Sequence, residues 1–259
     1  MSPGRLPGDG ESARPGRPCR SAGKRHSSKA RIPRMTGRAT GPLSGIRYLL
    51  FDLDGTLVDT TRLILFTFQE TLRTLGLPPR SDMELLLMIG RPLREQAEDI
   101  DARRAEEIFR LYQELYDRYH DGLAREFPGI REALAGLRER GYRLALVTSK
   151  RLSSAMGDLE YFRLTPYFHA VVTADDTVNH KPQPDPVLKA LERLEAPRER
   201  SAFVGDSPFD MRSAHAAGVL AGAVGWGPFP RELLEAEKPD FWIPGPSDFL
   251  TLFPGVSAE

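Results

Sequence analysis

The chain has 259 residues, enough for one large domain or two modest ones around a buried core. Hydrophobic residues make up 40% and charged residues 28%, a balance that belongs to folded globular chains and excludes the disordered and membrane-embedded classes. The formal net charge of +0 excludes a long-range field that would gather nucleic acid or anionic lipid, so any anion site must be local.

The lone cysteine, Cys19, has no partner for an internal disulfide, which fits a reducing compartment. No apolar run approaches the roughly 20 residues of a membrane span, and the first residues lack the apolar stretch of a secretory signal. A cytoplasmic protein with no membrane and no nucleic-acid partner is the expectation. Residues 1–44 carry ten Lys/Arg against two acids, are rich in Gly, Pro and Ser, and follow neither helical nor strand periodicity. They are read as a disordered basic extension, or as sequence ahead of a start at Met35. Their prolines and glycines oppose the amphipathic helix of a transit peptide.

From residue 45 the pattern becomes regular. Short apolar runs bounded by turn residues alternate with helical stretches, as in an α/β protein with a parallel sheet. The first strand spans 47–52. After it the chain is helical over 60–75, 82–89, 93–100 and 102–124, about ninety residues before the next strand and too many for a crossover. This segment reads as a small helical domain over 60–126, inserted into a core of 45–59 and 127–259 and closing at Phe127-Pro128-Gly129. Ile108, Leu111, Tyr112, Leu115 and Tyr119 recur at three- and four-residue spacing and read as a packing stripe rather than a ligand site. Further strands follow at 142–148, 170–172, 202–205 and 221–224, with crossover helices over 152–162, 186–194 and 210–217.

The chemistry gathers where strands end. In open α/β sheets ligands bind outside the carboxyl ends of the strands. The first strand ends in Asp52-Leu53-Asp54-Gly55-Thr56, and two acids two residues apart on an extended chain share a face, roughly 7 Å apart between Cα atoms. Carboxylates held that close do not ionise independently. A divalent cation would favour ionised Asp52, a nucleophile at neutral pH, and leave Asp54 able to hold a proton for a leaving oxygen. Gly55 lets the chain turn with its amides pointing inward and Thr56 adds a hydroxyl, although an Asp- and Gly-containing turn would look the same. The second strand ends in Thr148-Ser149-Lys150, where Thr148 can donate to a phosphate oxygen or cap a helix. Lys181, in the loop His180-Lys181-Pro182, can set a point charge against a phosphoryl group. His180 reads as a turn residue. A fourth segment, Gly205-Asp206-Ser207-Pro208-Phe209-Asp210, supplies two hard carboxylates suited to Mg2+; a first-turn acid favoured by the helix dipole would also explain Asp210.

These segments resemble the haloacid dehalogenase (HAD) superfamily. Asp52-Leu53-Asp54-Gly55-Thr56-Leu57-Val58-Asp59-Thr60 looks like its first motif, Thr148 matches the second, Lys181 the third, and Gly205-Asp206-Ser207 with Asp210 the fourth. The resemblance covers 46 to about 253 and implies a Rossmann-like core with an inserted helical cap. It also implies Mg2+-dependent phosphoryl transfer to water. Asp52 would be the nucleophile and Asp54 the acid and base. The metal would be held by Asp52, Asp206, the backbone carbonyl of Asp54, and Asp210 in or near its shell. Gly55, Thr56, Ser149 and, from the cap, Arg91 would contact a small phosphorylated substrate. Asp59 is expected to cap the following helix. Dehalogenases and phosphonate hydrolases of this type lack the second acid of the first motif, so Asp54 favours a phosphatase. Met88-Ile89-Gly90-Arg91-Pro92-Leu93, the helix from Tyr112 to Asp121, and Lys238-Pro239-Asp240-Phe241 look closest to the bacterial pyrophosphatase and phosphoglycolate phosphatase branch. A phosphomutase of the β-phosphoglucomutase type and a non-enzymatic interaction protein are the alternatives.

Overall fold

The computed structural model describes residue 1 and residues 42–256. Apart from residue 1 and its last three positions, the expected basic extension lies outside the described residues, Cys19 and Met35 included. Within those last three, Leu43 is buried and its amide donates to the Leu252 carbonyl at 2.8 Å, so packing starts just ahead of the expected boundary.

The chain runs β1 (Tyr48–Phe51), β2 (Val58–Asp59), α1 (Thr61–Thr74), α2 (Asp82–Leu86), α3 (Leu93–Asp101), α4 (Ala105–Leu123) and β3 (Arg125–Glu126). It continues with α5 (Ile130–Glu139), β4 (Arg143–Val147), α6 (Leu152–Tyr161), β5 (Ala170–Val172), α7 (Asp185–Leu194), β6 (Ser201–Gly205) and α8 (Pro208–Ala217). β7 (Leu220–Val224), α9 (Arg231–Ala236), β8 (Phe241–Ile243) and α10 (Phe249–Leu252) complete it.

Six strands form one sheet in the order β5-β4-β1-β6-β7-β8, every neighbouring pair parallel. This is the order of a doubly wound α/β fold, whose direction of winding reverses between β1 and β6. Leu49, Leu50 and Phe51 of β1 are fully buried, as are Leu144 through Val147 of β4 and Ala202 through Val204 of β6. Helices cover both faces of a parallel sheet, which is why these strands read as unbroken apolar runs instead of alternating ones. Each buried Leu, Val or Phe contributes ~1.5–3 kcal/mol.

The four helices α1 to α4 leave the core after β2 and return through β3. β2 and β3 pair antiparallel, Val58 opposite Glu126 and Asp59 opposite Arg125. The insertion therefore departs and arrives at one place. Within it, the α4 stripe does pack: Ile108 is fully buried, and Phe68 of α1 meets Tyr112 with ring centroids 4.4 Å apart.

Elements absent from the sequence reading are β2, β3, α5, α9, α10 and β8. The Pro128-Gly129 pair, expected to end a helix, instead starts one, because Gly129 takes a left-handed φ of +88° as the N-cap of α5. Strand β8 lies at the sheet edge beside β7, where the missing side chain of Gly222 leaves room for the Phe241 ring. Among the described residues, no helix is long and apolar enough to cross a membrane.

Candidate active site

The parallel register brings the acidic strand ends together. Phe51 of β1 pairs with Val204 of β6, and the Asp52 amide donates to the Val204 carbonyl at 2.9 Å. Asp52 and Asp206 therefore emerge side by side, at the place where the winding reverses. The turn after β6 adds a third acid. Ser207 caps α8 and Asp210 closes the box, its Oδ2 accepting from the Ser207 amide at 3.0 Å and hydroxyl at 2.6 Å. Gly205 permits this, since a Cβ there would overlap the Asp210 carboxyl group. Asp52, Asp206 and Asp210 are all buried, and one carboxylate oxygen from each lies within 4.8 Å of the others.

Lys181 joins this cluster from the loop before α7. Its Nζ donates to Asp52 Oδ1 at 2.8 Å and Asp210 Oδ1 at 2.7 Å, and its side chain is 1% exposed. One ammonium faces three buried carboxylates. Burial pushes Asp52 up from 3.8 to about 7, with Lys181 pulling it down and Asp210 and Asp54 adding to the rise. Burial likewise holds Asp206 well above the usual carboxylate range, reinforced by Asp210 and Asp52. Such an excess of buried negative charge on hard oxygen donors is what a divalent cation neutralises, so the residues fit Mg2+.

Gly55 and Thr56 are placed differently from expectation. Gly55 takes φ +77° and gives its amide to the Val58 carbonyl at 2.9 Å, while the Thr56 amide donates to Leu53 at 3.3 Å. The Thr56 hydroxyl donates to Asp206 Oδ1 at 2.8 Å. A Cβ on Gly55 would overlap the Asp206 carboxylate. Both residues shape and hold Asp206, and the tight turn takes up their amides. Asp59 also differs: Thr60 is the N-cap of α1, and Asp59 accepts the Thr61 amide at 3.3 Å from its position in β2.

Above the carboxylates lies a cavity of about 420 Å³ between the strand ends and the inserted helices. Asp52, Asp54, Thr148, Ser149, Lys181 and Asp206 line its floor. Thr148 Oγ1 accepts the Lys150 amide at 3.2 Å, which leaves its hydroxyl hydrogen for another acceptor. Ser149 instead gives its hydroxyl to the Gly90 carbonyl of the insertion at 2.7 Å. Arg91 reaches the cavity wall with its guanidinium paired to Asp99 of α3. Tyr112 of the α4 stripe lines the cavity too, beside Tyr116, so the stripe both packs and faces the site.

The profile of the haloacid dehalogenase-like hydrolase family matches residues 49–224. The chain belongs to this family. The PpaX protein of Caldanaerobacter subterraneus subsp. tengcongensis is 41% identical over 215 residues, covering 83% of this chain and 97% of its own. A pyrophosphatase PpaX from Bacillus cereus strain B4264 is 36% identical over 212 residues, covering 82% of this chain and 98% of its own. The crystal structure of a predicted phosphoglycolate phosphatase from Haemophilus somnus 129pt superposes with a TM-score of 0.68 at 26% identity, covering 80% of this chain and 98% of that one. By family and by these relatives, the chain is a HAD-type phosphatase.

This HAD hydrolase also carries a polar group that the sequence reading passed over. Lys150, two residues beyond Thr148, donates to Asp54 Oδ1 and to the Tyr116 hydroxyl, each at 2.7 Å, and to the buried Asp158 of α6. Asp158 in turn faces His120 of α4, with Nε2 2.7 Å from its Oδ1. The hydrogen bond to Asp158 raises the His120 pKa above 6.5, against the opposing effect of burial. A raised folded-state value means that protonated His120 stabilises the fold below about pH 6.5 and that this contribution fades as pH climbs through the raised value. Asp158, whose pKa is held below 3.8, stays ionised across that window. His120→Ala is therefore expected to lower the melting temperature by about 2–4 °C more at pH 6 than at pH 9. Equal losses at both values, read by thermal denaturation, would refute the pairing.

Proposed function

We propose that the chain is a Mg2+-dependent phosphohydrolase that forms an aspartyl-phosphate on Asp52. Its substrate is a small phosphate ester or anhydride, with pyrophosphate and 2-phosphoglycolate the leading candidates. One observation carries this reading: three buried carboxylates and a single ammonium converge at the carboxyl ends of β1 and β6, beneath a cavity. The PpaX relatives and the phosphoglycolate phosphatase likeness favour the two substrates named. The same reading makes the helical insertion a cap over the site and the protein a cytoplasmic enzyme.

Asp52 attacks phosphorus, the bond from phosphorus to the leaving oxygen breaks, and Asp54 gives that oxygen a proton. Asp54 then takes a proton from a water whose oxygen attacks the same phosphorus. The bond to Asp52 breaks and inorganic phosphate is released. Lys181, fixed between Asp52 and Asp210, offsets the repulsion between an anionic nucleophile and an anionic substrate. Thr148 gives its free hydroxyl hydrogen to a phosphoryl oxygen. Asp52, Asp206, the carbonyl of Asp54 and, through its shell, Asp210 would hold Mg2+, which when bound neutralises charge on the phosphoryl oxygens. The inserted helices exclude bulk water from the first step.

A phosphate-release screen tests this, run with Mg2+ and with excess chelator over pyrophosphate, 2-phosphoglycolate, sugar phosphates and nucleotides. Release that requires Mg2+ on at least one small substrate is the expected result. Hexose phosphate isomerisation without net phosphate, or no turnover on any member, would overturn it.

A further inference from the structure

Lys150 lines the cavity, and a cation in that position would ordinarily be taken for a substrate anchor. Its partners say otherwise. An ammonium has three donors, and Lys150 spends them on Asp54, Tyr116 and Asp158. The Tyr116 ring also lies under the charge, with Nζ 4.8 Å from its centroid. The carboxylates of Asp158 and Asp54 outweigh burial and hold the ammonium charged. The Lys150 side chain is 13% exposed and that of Asp158 2%. Nothing on Lys150 is left over for a phosphate oxygen.

What Lys150 does hold is one particular oxygen. The Thr60 hydroxyl and the Lys150 ammonium both donate to Asp54 Oδ1, and among the described residues no hydrogen bond reaches Oδ2. Two donors on the same oxygen fix the plane of the carboxyl group. They leave its second oxygen as the one able to exchange a proton with a reacting atom. We propose that Lys150 is a positioning residue: anchored by Asp158 of α6 and Tyr116 of α4, it locks Asp54 so that Oδ2 faces the leaving oxygen. This rests on the reading of Asp54 as the acid of the first step.

Leaving-group dependence tests it. The ratio kcat/KM covers every step up to departure of the alcohol and is blind to the later hydrolysis of the aspartyl-phosphate. An alkoxide needs a proton as it leaves; p-nitrophenolate does not. Lys150→Met is expected to lower kcat/KM by ~100-fold on the alkyl phosphate that the enzyme hydrolyses fastest, but by less than about fivefold on p-nitrophenyl phosphate. A substrate anchor would lose equally on both esters, because both present the same phosphoryl group. Equal losses therefore overturn the proposal. Should Lys150→Met fail to fold, Tyr116→Phe removes one anchor without stranding a charge. Its expected loss is about three- to tenfold, confined to the alkyl ester, and equal effects on the two esters overturn the proposal in that variant as well. Asp54→Asn separates the two layers of the argument. A selective loss there with equal losses in Lys150→Met overturns only the role of Lys150. Equal losses in Asp54→Asn overturn Asp54 as the acid, and the positioning role with it.

Discussion

Asp52→Asn is expected to lower turnover by roughly 10,000-fold or more while the protein remains folded. The carboxamide cannot accept a phosphoryl group, and no other carboxylate of the cluster is free to replace it. Asp210 is committed to Ser207 and Lys181, and Asp206 to Thr56. Stability should hold, or rise slightly, because the substitution removes one of three crowded buried negative charges and Lys181 keeps Asp210. Phosphate release together with a denaturant titration decides the matter. Appreciable turnover in a folded Asp52→Asn protein would remove Asp52 as the acceptor.

Lys181→Met has the opposite profile, since it strikes fold and chemistry together. It takes the one ammonium from among three buried carboxylates, and breaking a buried ion pair from one side typically costs about 3–5 kcal/mol. A divalent cation binding only the folded state would recover part of that loss by mass action. Urea denaturation of Lys181→Met should therefore show a large deficit in chelator and a smaller one in millimolar Mg2+, with turnover lost in both. A variant no more stable in Mg2+ than in chelator would mean that the carboxylates do not receive the cation, and the proposed site would fall.

Legibility followed burial. Strands β1, β4 and β6 could be read directly, because a parallel sheet covered on both faces leaves unbroken apolar runs that stop where solvent and ligand begin. The acids that end two of those runs, Asp52 and Asp206, converge with Asp210 from the first turn of α8 as their positions imply. Strand β8, Phe241-Trp242-Ile243, is no shorter than β5 but has Pro239 and Pro244 close on either side, and prolines argue against a strand except at a sheet edge, where β8 lies. Helix α5 shows the proper spacing in Ile130, Ala133, Leu134 and Leu137, but the preceding Pro128-Gly129 reads equally well as a stop or a start. In the site, the turn bonds of Gly55 and Thr56 were not legible because sequence does not say whether a turn amide faces a ligand or its own chain. Lys150 and Asp158 were missed for a different reason. An acid within a helix looks solvated until the fold shows it beneath a lysine and a histidine, at 2% exposure. The available signal was Thr148-Ser149-Lys150 directly after an apolar strand, where every side chain has reason to be polar.

The antiparallel contact between β2 and β3 has an architectural consequence. Closing a long excursion is entropically unfavourable, and the cost grows only slowly with contour length once the two ends are stapled together. Val58 and Glu126 form that staple, and it sits outside the six-stranded sheet. What hangs between them can lengthen, shorten or be exchanged for another module without re-registering a single strand beneath. The strand-end site and the inserted helices are thus free to diverge at separate rates.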